Sequence, residues 1–175
     1  MATYIAFLRA INLGANRKFP KAAIVEAVET AGFSEVETYI NTGNVRFATK
    51  MRSRARIESA LERAFLDRAG FEVPTIVYTA AELRAIAEQA ARFGHTGRHY
   101  VSLLKDPPTA AQIEAVESAG TAGEVARVGG RAVHLMLDGQ YHEARLTNVV
   151  VEKHLGVATN RNLTVIEALA AKWCG

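Results

Sequence analysis

The apolar positions of the chain change period several times, and the order of the changes occurs twice. The first run, TYIAFLR up to Arg9, is apolar on both phases, with Ile5 and Phe7 on one and Tyr4, Ala6 and Leu8 on the other, as in a strand covered on both faces. Pro20 then opens a helix that carries AAIVEAVETAG over 22–32. Residues 35–40 alternate, Val36, Thr38 and Ile40 against Glu35, Glu37 and Tyr39, and Asn-Thr-Gly-Asn at 41–44 turns them back into Val45-Arg46-Phe47, which predicts a hairpin. Ile57, Ala60, Leu61, Ala64 and Phe65 share one face of a helix predicted over 54–69. A strand over 71–78 and a helix opened by the box Thr79-x-x-Glu82 complete the first copy.

The 22–32 segment returns as AAQIEAVESAG over 110–120, 88 residues on, with eight of eleven positions identical. One Ala-rich helix could match by chance, so the order of its neighbours decides. HYVSLLK, ending at Lys105, precedes it as TYIAFLR precedes the first, and Pro107-Pro108 sits where Pro20 sits. EVARV, Gly129-Gly130 and the run 132–137 form a second hairpin, and Leu146, Val149 and Val150 mark a helix over 145–155. No counterpart of the 71–78 strand is legible. The chain ends in a helix with the box Thr164-x-x-Glu167 and a stripe of Ile166, Leu169, Ala170 and Trp173.

The fold class is therefore α+β, a duplicated β-α-β-β-α unit whose halves are ferredoxin-like α/β plaits. The halves span 1–91 and 99–175, joined by a linker over 92–98 (RFGHTGR) with two glycines. So short a linker, with a first strand apolar on both phases, implies halves packed together.

In a plait the first β-α-β crossover is right-handed and joins parallel strands, so strands one and two of the first half end at the same sheet edge. That edge collects the 12–18 loop (NLGANRK) and the 41–44 hairpin, with Arg9 at the end of its strand. The first helix opens beside them, its unpaired N–H groups and positive dipole end next to Asn16, Arg17 and Lys18. An anion could dock there. Gly14, Gly43 and the asparagines are also what tight turns need, but Arg9, Arg17 and Lys18 exceed any turn requirement.

Composition narrows the classes. With 49% hydrophobic and 22% charged residues a packed core is expected. A net charge of +3 favours anionic partners without reaching the dense basic stripe of a dedicated nucleic-acid binder. Cys174 is the only cysteine, so no disulfide or thiolate zinc site forms within one chain, and a reducing, cytoplasmic setting is expected. No apolar run approaches a membrane span, and no basic n-region precedes the first apolar run. His95 and His99 flank Gly97 rather than sharing a helix face, so no metal site is expected, and no cofactor motif or nucleophile elbow is present. Lys50 to Arg56 (KMRSRAR) gathers four cations, a solvated helix face beside Glu58 and Glu62 or a polyanion contact. The third strand carries Asn-Val-Arg-Phe where an RNA-recognition plait needs stacking aromatics.

YIAFLRAINLGANRKFP, GFSEVETYINTGNVRF and NRNLTVIEAL together resemble the bacterial family known as domain of unknown function 1697. Leu8, Arg9, Ile11, Asn12 and Gly14 match that family's Leu-Arg-Gly-Ile-Asn-Val-Gly pattern, and Tyr39, Ile40, Gly43 and Asn44 its Tyr-Ile-x-Ser-Gly-Asn pattern. Ala10 replaces a glycine, Thr42 a serine, and Ala144-Arg145-Leu146 a Ser-Lys-Leu. The resemblance implies a duplicated plait and brings no established activity, but its signature falls on the two loops that topology places together.

The leading functional expectation is a small anionic or phosphorylated ligand held by Arg9, Asn12, Gly14, Arg17, Lys18, Tyr39, Thr42, Gly43 and Asn44, joined by Arg161 and Asn162 from the second half. Sequence-tolerant nucleic-acid binding through the 50–56 patch and the linker is the first alternative. An enzyme using Tyr39 or Thr42 with Arg9 as electrophilic support is the second.

Overall fold

In the computed structural model, which describes all 175 residues, β1 (Ala2–Leu8), β2 (Ser34–Thr38), β3 (Asn44–Thr49) and β4 (Thr75–Thr79) form one antiparallel sheet. Its order is β2-β3-β1-β4, the plait arrangement. The helices α1 (Lys21–Thr30) and α2 (Arg54–Ala69) bury Ile24, Val28, Ile57, Leu61 and Phe65 against Tyr4, Ala6, Leu8, Val45 and Phe47 on one sheet face. Ile5, Phe7, Ile76 and Tyr78 on the other face are also buried, and the rings of Phe7 and Tyr78 meet edge-on at 5.8 Å. A strand enclosed on both faces is what the unbroken apolar run of β1 calls for.

These elements form one compact unit, Met1–Ala80; Ala81–Gly175 form a second. There β5 (Arg98–Leu104), β6 (Glu124–Gly129), β7 (Ala132–Leu137) and β8 (Ala158–Asn162) repeat the sheet in the order β6-β7-β5-β8. The second copy thus keeps its fourth strand, contrary to the sequence reading. β8 pairs with β5 from Leu104↔Ala158 to Tyr100↔Asn162, yet it reads Ala-Thr-Asn-Arg-Asn and offers no apolar run. Its polar side chains are satisfied by each other and by neighbours: Asn160 Nδ2 donates to Ser102 Oγ at 3.2 Å, and Arg161 Nη1 donates to Thr159 Oγ1 at 2.9 Å.

The helices α4 (Ala110–Ser118) and α5 (Asn148–Leu155) cover one face of this sheet through Val116, Val151 and Leu155 against Leu104, Val133 and Leu135. On the other face α3 (Ala80–Phe93) and α6 (Leu163–Trp173) lie together, Arg84 Nε donating to the carbonyl of Cys174 at 3.0 Å. The 92–98 stretch, expected as a linker, holds the last two residues of α3 and the first residue of β5, inside the second unit. α6 opens at Leu163 with Asn162 as its cap, accepting from Val165 N at 3.0 Å. The box expected at Thr164 therefore starts two residues too late. No helix is long and apolar enough to cross a membrane.

Edge strand β4 is closed by carboxylates. Glu58 Oε2 accepts from Val77 N at 2.9 Å and Glu62 Oε2 from Thr75 N at 3.0 Å. Helical i,i+4 spacing matches two alternate residues of a strand, so α2 supplies acceptors to N–H groups that would otherwise form an open edge. The sequence reading took Glu58 and Glu62 as neighbours of a solvated helix face at 50–56 or of a polyanion contact there. Instead Glu58 is buried, and Arg54 balances it at 3.3 Å.

Candidate functional site

Three connections meet at the edge of the first sheet where β1 ends. The β1–α1 loop covers 9–20, the β2–β3 turn 39–43 and the α2–β4 loop 70–74. Backbone bonds lock them: Leu8 N donates to Gly43 O at 2.9 Å and Arg9 N to Pro74 O at 2.9 Å. The 12–18 loop and the 41–44 hairpin do adjoin, as the topology required. The 70–74 loop is a third wall that the sequence did not reveal, because its residues carry no charge pattern.

Asn12 is the pin. Its Nδ2 donates to Phe19 O at 3.1 Å and to Asn41 O at 2.7 Å, while its Oδ1 accepts from Phe19 N at 2.8 Å. Arg17 is a second brace. Its Nε donates to Ala10 O, its Nη2 to Glu72 O at 2.6 Å, and its guanidinium lies 4.4 Å from the centre of the Phe71 ring. A guanidinium so engaged holds the loop in shape, so the exposed cations beside the opening of α1 are Lys18 and Lys21. Asn44 is fully buried and donates to Tyr39 O at 3.0 Å and Thr42 Oγ1 at 2.9 Å, which shapes the turn.

The backbone here is strained. Ala10, Asn12 and Ile40 have φ of 62°, 54° and 50°, and for a β-branched isoleucine that region is a genuine outlier. Gly43 has φ 89°, and a Cβ there would stand 2.7 Å from Leu8 Cβ and 3.1 Å from Ile11 Cδ1. Gly43→Ala is expected to cost about 2–4 kcal/mol, from strain and overlap together. A urea midpoint within error of the parent would contradict that close packing. Gly14, at φ 63°, faces open space and is needed only for its turn.

Arg161 and Asn162 are each engaged inside the second unit. Arg161 is buried on β8, burial lowering its pKa to about 10, and Asn162 caps α6. All five histidines also belong to the second unit, so the unit that holds Tyr39 and Thr42 supplies no imidazole base to them. In the 50–56 patch Arg54 is taken up by Glu58, while Lys50, Arg52 and Arg56 are exposed.

A second polar cluster lies between α3 and the second sheet, and sequence spacing pointed away from it. His99 pairs with His134, which stands 35 residues on: Nε2 of His99 is 2.9 Å from Nδ1 of His134. His134 Nε2 is in turn 3.2 Å from Gln89 Oε1. Phe93 packs on His134 with ring centres 5.1 Å apart. His95 bonds the Leu137 carbonyl through Nε2 at 3.1 Å. Burial first, and a neighbouring imidazole second, push both His99 and His134 down to about 4.

A doubled ferredoxin-like plait with one elaborated edge is the class that this fold defines. The chain belongs to the family described as protein of unknown function (DUF1697), whose model matches residues 1–134. It is similar over 98% of both chains to the structure of conserved bacterial protein SP0830 from Streptococcus pneumoniae, with 24% sequence identity and a TM-score of 0.79. That likeness establishes the fold. No curated protein matches.

Proposed function

We propose that the elaborated edge of the first unit binds a small anionic or phosphorylated ligand. What carries this reading is the difference between the two copies. The β–α connection takes twelve residues, 9–20, in the first unit and five, 105–109, in the second. The hairpin turn takes five against two, and the helix–strand loop five against two. The second unit demonstrates that the plait closes without the extra residues, so their presence and strain need a reason other than folding.

The charge pattern supplies the ligand class. α1 is opened by Pro20 with no side-chain cap and has no acidic residue in its first turn, whereas Ser53, Thr109 and Asn162 cap α2, α4 and α6. Unsatisfied N–H groups with Lys18 and Lys21 beside them favour a negative group. Placement in the cytoplasm rests on the lone Cys174, a buried free thiol.

Phosphate or a nucleoside monophosphate at ten times its Kd is expected to stabilise the protein by about 1.4 kcal/mol. Lys18→Ala/Lys21→Ala, and separately Arg9→Ala, should remove most of that stabilisation in a melting assay. An undiminished shift in both variants would refute the site. The exposed Lys50, Arg52 and Arg56 support the nucleic-acid alternative; it requires oligonucleotide affinity that falls steeply with salt and is lost on neutralising those three residues.

A further inference from the structure

The elaborated edge of the first unit also presents apolar side chains that the chain's own packing covers only in part. A backbone bond from Asn12 N to Arg17 O at 2.6 Å closes the β1–α1 loop on itself, so residues 13–16, Leu-Gly-Ala-Asn, project as a finger in which every residue is exposed. A Cβ added at Gly14 would meet nothing within 4 Å. Residues 40–42 of the β2–β3 turn, Ile-Asn-Thr, make a second exposed finger. Asn12 ties the two together through its bonds to Asn41 O and to both the N–H and the carbonyl of Phe19. Leu13, Ile40 and Lys18 are each one residue away from that junction.

Leu13 is 63% exposed and Ile40 39%. Single exposed aliphatics are ordinary on a protein surface, but Ile40 is also held at φ 50°, where asparagine or glycine would make the same turn at less cost. A strained backbone that keeps a β-branched side chain partly in water is a loss to the free chain on both counts. An outlier of that kind points to a use outside the folded chain.

Charge and area select what the fingers meet. The connections 9–20, 39–43 and 70–74 hold Arg9, Arg17 and Lys18 against one carboxylate, Glu72, and the exposed Lys21 follows in the first turn of α1. Glu37, three residues before Ile40, is paired with Arg46 at 3.2 Å. Apolar tips with cations at their base complement a surface that is negative outside and apolar beneath. Two aliphatic side chains fall far short of the about 800 Å² per partner that a stable protein interface buries, and projecting fingers do not enclose a small molecule. An anionic lipid bilayer requires neither, because a modest apolar anchor and a basic patch act together there.

We infer that Leu13 and Ile40 dock the first unit reversibly on an anionic lipid surface, with Lys18 and Lys21 at the headgroup phosphates. The inference rests on the anion reading given above in so far as it uses the same lysines; the apolar contacts are its own.

Cosedimentation of the full chain with lipid vesicles tests it. Phosphatidylcholine vesicles containing about 30 mol% phosphatidylglycerol should bind the chain, pure phosphatidylcholine about tenfold less, and the binding should weaken between about 0.1 M and 0.5 M salt. Leu13→Ser/Ile40→Asn should lower the partition coefficient about tenfold, as should Lys18→Ala/Lys21→Ala. Ile40→Asn alone should leave the melting temperature unchanged or raise it, because asparagine tolerates that φ; a clear fall would make Ile40 a packing residue and overturn the inference. So would the absence of binding by about 5 mM anionic lipid, binding undiminished in the apolar double variant, or a dimer in solution that the same variant dissolves. Melting shifts with inorganic phosphate separate this from the small-anion reading. A phosphate shift without vesicle binding overturns the lipid surface and leaves the small anion standing, whereas vesicle binding without a phosphate shift supports the lipid surface alone.

Discussion

Unfolding free energy is expected to fall by about 2 kcal/mol for each of His99 and His134 as the pH drops from 7 to 5. Both imidazoles are held near pKa 4 in the folded chain against an ordinary 6.5. The unfolded chain therefore takes up protons from about pH 6.5 downward, while the folded chain resists until about pH 4. Unfolding consumes protons throughout that window, so stability is complete above pH 6.5, declines below it and levels off under pH 4. Urea unfolding at pH 7.5, 6 and 5 measures the effect. A doubly substituted chain, His99→Phe with His134→Leu, should show a flatter profile over the same range, because few carboxylates titrate above pH 5. A parent profile with no slope between pH 6.5 and 5 would contradict the buried pair.

Replacing Glu58 by alanine should destabilise the first unit by about 3 kcal/mol. The carboxylate closes the edge N–H of Val77 at 2.9 Å and balances Arg54 from a position only 4% exposed. Its removal leaves a buried N–H without its acceptor and a guanidinium without its counter-charge, each costly where water enters poorly. Arg54 is about one-third exposed, so Arg54→Ala should cost clearly less. Glu58→Gln, which keeps an acceptor, should fall between them. If the three variants lose stability equally, the edge-closing role is wrong and only packing matters. Loss of edge closure should also appear as faster amide exchange at Val77 and as association at high concentration.

The two copies separate what a plait needs from what has been added to it. Both sheets have the same strand order, and α1 and α4 come from nearly identical segments. Yet the first copy spends its extra residues on one edge, and the second places histidines and an arginine on a buried sheet face. The first divergence is the basis of the proposed anion site, and the second builds the buried pair of His99 and His134.

Much of this was legible in the residues. The repeat, the apolar run of β1, the extent of α2 and the meeting of the 12–18 loop with the 41–44 hairpin all follow from periodicity and topology, since those depend on neighbours along one element and on chain connectivity. Packing of side chains across elements was not legible. Asn12, Arg17 and Asn44 read as ligand-binding groups because their chemistry suits anions; the fold uses them to bind backbone carbonyls. β8 escaped notice because a strand may be polar once its partners, such as Ser102 for Asn160, are supplied from elsewhere. Glu58 turned inward because the adjacent sheet edge needed acceptors. His99 met His134 through the pairing of β5 with β7, a partner 35 residues away that no spacing along the chain could indicate. A sequence records which groups are present and their local period; only tertiary structure brings together groups on different elements, and hydrogen bonds and desolvation act between those.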